Sequence, residues 1–165
     1  MPDADAIGAP TRTSLIRAKF GLGCAPVTET DPAACWMLTG FADEVGPDLA
    51  EQIDVLRELG LRALDLRSAW STNVLALDDE QVAQAKRMLD AAGMAVSSIA
   101  SPLGKISIHG DFEQHLAKAE RAARLAHVFG TPYVRVFSFF IPNGDDPDSH
   151  RDEVLRRMRA LADVA

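Results

Sequence analysis

Strand and helix signals alternate strictly over residues 36–165 and predict an α/β fold. The architecture expected is a partial (β/α)8 barrel: its first four βα units, with a parallel sheet. Three observations carry this reading. First, three segments close alike: RELG-LRALDLR around Gly60, AAGMAVSSIA around Gly93 and VFGTPYVRVF around Gly130. Each reads as a helix ending at a glycine and followed by a short β-rich run. The glycines are spaced 33 and 37 residues apart, room for one strand, one loop and one helix. Second, three helix starts carry an aspartate variant of the capping box, Asp48-x-x-Glu51, Asp78-x-x-Gln81 and Asp111-x-x-Gln114. Third, the turn after the first expected strand reads Phe41-Ala-Asp-Glu-Val-Gly46. It offers acids where a doubly wound nucleotide-binding sheet would place a glycine-rich phosphate cradle.

Residues 1–35 hold Pro2, Pro10, Pro26 and Pro32 and no sustained periodicity, which reads as a flexible N-terminal leader. Cys24 and Cys35 both lie there. They read as two unrelated thiols in a reducing cytosol, a disulfide across the loop between them being the alternative. Expected strands then run Trp36–Phe41, Ala63–Arg67, Ala95–Ala100 and Tyr133–Phe137. Between them, apolar residues recur at helical spacing. The first helix carries Leu49, Ile53, Leu56 and Leu59, and the second Val82, Ala85, Leu89 and Ala92. The third carries Phe112, Leu116, Ala119, Ala122, Ala126 and Phe129. A fourth helix, from about Ser149, carries Val154, Leu155, Met158 and Leu161.

With 47% hydrophobic and 25% charged residues, 165 residues can bury a core, which excludes a disordered or collagenous chain. Asp and Glu total 24 against 17 Lys and Arg, a net charge of −7. That balance argues against binding a phosphate backbone, and hence against a nucleic-acid partner. No apolar run reaches membrane-spanning length and no secretory signal opens the chain, so a cytoplasmic protein without membrane partners is expected.

Parallel α/β folds place ligands at the C-terminal strand ends. Strand alternation puts Leu64 and Leu66 toward the helices and Asp65 and Arg67 on the opposite face; Arg135 joins them, while Val134 and Val136 pack outward. An ion pair of Asp65 with Arg135 or Arg67 is expected. Arg67, nearer the rim, suits a carboxylate, a hydroxyl pair or a phosphate through its forked guanidinium. Trp70 reads as a flat wall for a sugar ring or as loop packing. Lys105 reads as an anion or carbonyl ligand or as an exposed lysine, and Phe137 as core and pocket wall. His109 reads as a solvated loop histidine, His115, His127 and His150 as helix surface or packing residues. Asp145, Asp146 and Asp148 read as a solvated face, without the spacing of a calcium loop. No nucleophile elbow, phosphate-binding loop or zinc motif is present, and no complete catalytic set emerges.

The segments ADEVGPDLAEQIDVLRELGLRALDLRSAWSTNVLALDDEQV, SSIASPLGKISI and LAHVFGTPYVRVFSFFIPNGDDP resemble the first half of sugar phosphate isomerase/epimerase proteins of the xylose isomerase-like TIM-barrel family. The resemblance covers residues 36–165. It implies a divalent-metal-dependent isomerase or epimerase acting on a sugar, sugar phosphate or inosose, with proton transfer beside a carbonyl through an enediolate. Manganese, magnesium, cobalt or zinc would be the metal, bound by residues of later strands, so that this chain alone is expected to hold none and to lack isomerase activity. Arg67, Trp70, Lys105 and Phe137 would line the substrate side. A barrel needs eight units and about 250 residues, so open sheet edges and pairing of copies through them are also expected. The alternatives are an endonuclease IV-like DNA repair enzyme of the same superfamily and a non-catalytic half-barrel.

Overall fold

The computed structural model describes residues 37–164; the expected leader, both cysteines and Trp36 lie outside the described residues. A 3-10 turn at Ala42–Glu44 leads to helix α1 (Leu49–Glu58) and strand β1 (Ala63–Leu66). A small hairpin follows, β2 (Ser68–Ala69) and β3 (Thr72–Asn73), then α2 (Asp79–Ala91) and β4 (Ala95–Leu103). The chain continues through α3 (Phe112–Phe129), β5 (Val134–Val136), a 3-10 turn at Pro147–His150 and α4 (Arg151–Ala162). The main sheet has the order β1-β4-β5, with both pairings parallel. This is the parallel α/β arrangement expected.

The helix boundaries follow from local chemistry. Asp48 accepts hydrogen bonds from the Ala50 and Glu51 N–H groups, and Asp111 accepts one from Gln114. Asp78 and Gln81 form the reciprocal box, each side chain accepting the other's backbone N–H at 2.8 and 3.0 Å. At the other end of α1, Gly60 stands at φ +78°, which lets the Leu61 N–H return to the Leu56 carbonyl at 2.9 Å. The Met94 and Thr131 N–H groups close α2 and α3 in the same way.

The expected first strand is the principal correction. Residues 37–41 form no ladder; the segment meets β1 through the Asp65 N–H and the Gly40 carbonyl at 3.0 Å. Met37 and Leu38 are 62% and 58% exposed, so the segment adds little apolar burial to the sheet. Three parallel strands, not four, are therefore paired among the described residues. The two-residue hairpin was not anticipated either. Its tip is Trp70-Ser71, with φ of +53° and +60°. Two-residue hairpin turns need such angles, but usually take them from Asn and Gly.

The core lies between sheet and helices in two clusters. The larger joins Leu49, Ile53 and Leu56 of α1 to Leu64, Leu66, Leu89 and Ile99. The smaller joins Leu103, Ile108, Phe112, Ala122, Phe139 and Leu161. No described helix is long and apolar enough to cross a membrane.

Candidate functional site

Strand parity divides the sheet as expected: Leu64 and Leu66 enter the helix-side core, Val134 packs against it, and Asp65 lies on the opposite face. The partners there differ from expectation. Asp65 accepts from the Ser97 and Ser98 hydroxyls at 2.9 and 2.5 Å, and from Thr39 at 3.4 Å, rather than pairing with either arginine. A bulge explains how both serines reach it. Leu64 pairs with Val96 but Asp65 with Ser98, leaving Ser97 as the extra residue.

With Asp65 satisfied by hydroxyls, Arg67 turns to the acids of the turn before α1. Its Nε donates to Asp43 Oδ2 at 2.7 Å and its Nη2 to Glu44 Oε1 at 3.0 Å. The Asp43 hydrogen bond, opposed by partial burial, raises the Arg67 pKa above its ordinary value. Ser68 Oγ donates to the same Asp43 oxygen, while Asp43 Oδ1 is buried without a hydrogen-bond partner among the described residues. Sequence reading had left Asp43 and Glu44 without a role, although an acidic pair two residues past an expected strand was the available signal.

Arg135 lies across the end of β4, its Nη2 donating to the Ala100 carbonyl at 2.8 Å and its Nε to Ser101 at 3.2 Å. Burial, and then the Arg67 charge, push its pKa down. Four cation–ring contacts connect these groups in a row. Arg67 and Arg135 both stand over the Phe41 ring, at 4.9 and 5.1 Å from its centroid. Arg135 also stands over Phe137 at 4.9 Å, and Lys105 over the same ring at 4.6 Å. The order is Arg67, Phe41, Arg135, Phe137, Lys105. Each contact attracts a cation to the negative ring face, and each ring is shared by two cations.

Of the expected site residues, Arg67, Lys105 and Phe137 are brought into this row. Trp70 is not seen in it; at the hairpin tip it packs partly against the larger core cluster, with its N–H bonded to the Pro47 carbonyl at 2.6 Å. Gly104 is what brings Lys105 and Phe137 together. Its φ is +83°, and a Cβ there would lie 1.8 Å from the Phe137 carbonyl oxygen, so only glycine admits the approach. The Gly104 N–H donates to Nε2 of buried His115 at 2.6 Å.

A second polar group occupies the loops after β4 and β5. Ligand atoms of His109, Asp145 and His150 all lie within 4.8 Å of one another. The three residues, read as separate surface groups from the sequence, are neighbours in space. An apolar hollow of about 290 Å³ lies elsewhere, on the helix side of the sheet, between β5, α3 and α4.

A family model described as xylose isomerase-like TIM barrel matches residues 53–165. No curated protein matches the chain. Among solved structures, a xylose isomerase-like TIM barrel protein from Mycobacterium smegmatis in complex with magnesium is 26% identical, with a TM-score of 0.61 over 82% of this chain and 53% of that one. A probable 3-DHS dehydratase involved in petrobactin synthesis from Bacillus anthracis is 21% identical, with a TM-score of 0.60 over 78% of this chain and 48% of its own. A 3-keto-D-glucoside 4-epimerase from E. coli is 19% identical, with a TM-score of 0.54 over 77% and 50%. The chain thus spans about half the length of the structures it matches.

Proposed function

We propose that this chain, which belongs to the xylose isomerase-like TIM-barrel family, forms the substrate-side wall of a pocket for a small hydroxylated carbonyl compound: a sugar, a sugar phosphate or an inosose. The reaction class is isomerisation or epimerisation. Both start by removing a proton beside the carbonyl, and dehydration of a hydroxycarbonyl begins in the same way.

The observation that carries this reading is the row of alternating cations and rings at the strand ends. Ring faces suit the apolar C–H face of a sugar, and the cations suit its oxygens. The three cations differ in freedom. Arg135 is fixed by two backbone carbonyls and Arg67 by two carboxylates, whereas Lys105 is exposed and carries a mobile ammonium. Arg67 and Arg135 are thus guanidinium groups held in fixed positions, while Lys105 is the group able to follow an oxygen as charge develops on it in an enediolate. Trp70 belongs to the same proposal as a wall residue, from its position at the hairpin tip outside the row.

A divalent metal is expected from the family, and a matched structure holds magnesium. Magnesium takes oxygen ligands in an octahedral array. The group that converges with ligand spacing among the described residues is two imidazoles and one carboxylate. That donor set does not suit magnesium, and no step is derived through it.

Saturation-transfer NMR with a panel of ketoses, ketose phosphates and inososes tests the reading. A ligand signal from the wild-type chain is expected, with loss of most of it in Arg67→Ala and Lys105→Met. Absence of signal across the panel, or signal undiminished from wild type in both variants, would contradict the proposal. In D2O the 165-residue chain alone is expected to show no exchange at the carbon beside the carbonyl.

A further inference from the structure

We propose that His109, Asp145 and His150 bind a divalent transition metal of the zinc, cobalt and nickel type. The chemistry of the donors sets the class. Two imidazoles with one carboxylate match the borderline character of these ions, whereas magnesium and calcium prefer oxygen alone.

The geometry fits the same ions. Asp145 Oδ2 lies 3.0 Å from His150 Nε2 and 3.7 Å from His109 Nε2. A tetrahedral ion with bonds of about 2.0–2.2 Å holds its ligand atoms about 3.3–3.6 Å apart, between those two values. The imidazole rings stand edge to face at 5.3 Å and 77°, each with Nε2 toward the shared carboxylate. The three donor atoms lie within 4.8 Å of one another, so side-chain adjustments of up to about an ångström would bring all three onto one ion.

The backbone holds the three positions in place beforehand. After β4, residues 106–108 pair in parallel with Phe140. The Phe140 N–H donates to the Ile106 carbonyl and the Ile108 N–H to the Phe140 carbonyl, both at 2.8 Å. This ladder ends one residue short of His109. On the other side, Asp146 accepts from the Asp148 N–H at 3.2 Å and closes the Pro147–His150 turn, which fixes His150 relative to Asp145. His109 and Asp145 side chains are 63% and 40% exposed, so an ion can reach them; His150, at 17%, is the anchored member. Three protein ligands leave a fourth position for water or a substrate oxygen.

Binding would tie the loop that carries Lys105 to the segment that carries Phe137. The site stands independently of the proposed substrate, since metal binding needs no turnover to be read.

The test uses the untagged 165-residue chain with zinc by calorimetry and cobalt by visible absorption. One ion per chain is expected, with cobalt bands of a nitrogen- and oxygen-ligated site. At a hundredfold excess over Kd, zinc should raise Tm by about 5–10 °C. His109→Gln and Asp145→Asn, both at exposed positions, should each weaken binding at least about tenfold. His127→Gln on α3 should leave it unchanged. Failure to bind one ion at micromolar zinc would overturn the assignment, as would binding that survives both loop variants or is lost equally in His127→Gln.

Discussion

His115 shows how much one buried side chain governs at the strand ends. Its Nε2 accepts the Gly104 N–H at 2.6 Å, so the neutral ring carries its proton on Nδ1, which is buried without a partner among the described residues. Burial, then the charges of Lys118 and Arg157, lower its pKa from the ordinary 6.5. The folded chain therefore resists protonation at a pH where the unfolded chain already accepts a proton. Stability is complete above about pH 6.5 and falls as pH drops below it. His115→Gln keeps an acceptor for Gly104 and removes the titration. Between about pH 7 and pH 5 the wild-type Tm should fall further than that of His115→Gln, and equal falls would refute this account. Neither this link nor the Asp43–Arg67 pair was legible in the sequence. Parity told which face Asp65, Arg67 and Arg135 occupy, but partners on that face depend on a bulge at Ser97 and on where residues 42–44 turn. The buried Gln52 was missed for a similar reason. Its amide donates to the carbonyls of Gly46 in the turn before α1 and Ser68 in the hairpin, so its two partners come together only in the folded chain.

The elements were far more legible, because their signals are local. Three aspartate caps and three glycine closures mark α1, α2 and α3, and the structure forms each of them. The cap of α2 permits a direct prediction. Asp78→Ala removes the acceptor for Gln81 N–H and should cost about 1 kcal/mol, read as a Tm lower by about 2–4 °C. An unchanged Tm would show that tertiary packing alone holds the start of α2. Helix α4 depends on a different device. Arg157 is buried over the rings of Phe112 and Phe139, and Glu153 holds its guanidinium at 2.6 Å. Hydrogen bonds from Arg156 and Arg157 bring the Glu153 pKa down to about 2, so this anchor persists until pH falls toward that value. Two elements escaped local reading. Trp-Ser carries no hairpin signal, and the strand expected over 36–41 meets its neighbours only through the Gly40 carbonyl to β1 and the Thr39 hydroxyl to Asp65 and Ser97 among the described residues.

Across the whole molecule, the parallel sheet separates two kinds of surface. The helix side holds the core and the apolar hollow beside β5, whereas the strand ends gather the cation–ring row and the histidine–carboxylate group. The architecture could be anticipated since the repeat of helix, glycine and strand leaves few topologies. The row could be anticipated only as a location: of the four residues expected to line it, Arg67, Lys105 and Phe137 lie in it and Trp70 does not, while Phe41, Asp43, Glu44 and Arg135 were given no part in binding. The central claim is that this row, and not the apolar hollow beside β5, receives a hydroxylated carbonyl compound. Mapping NMR chemical shifts during titration with a ketose phosphate tests it most directly. Shifts concentrated at Phe41, Arg67, Lys105 and Phe137 are predicted; shifts concentrated at Val136, Met158 and Leu161 around the hollow, with the row unmoved, would contradict it.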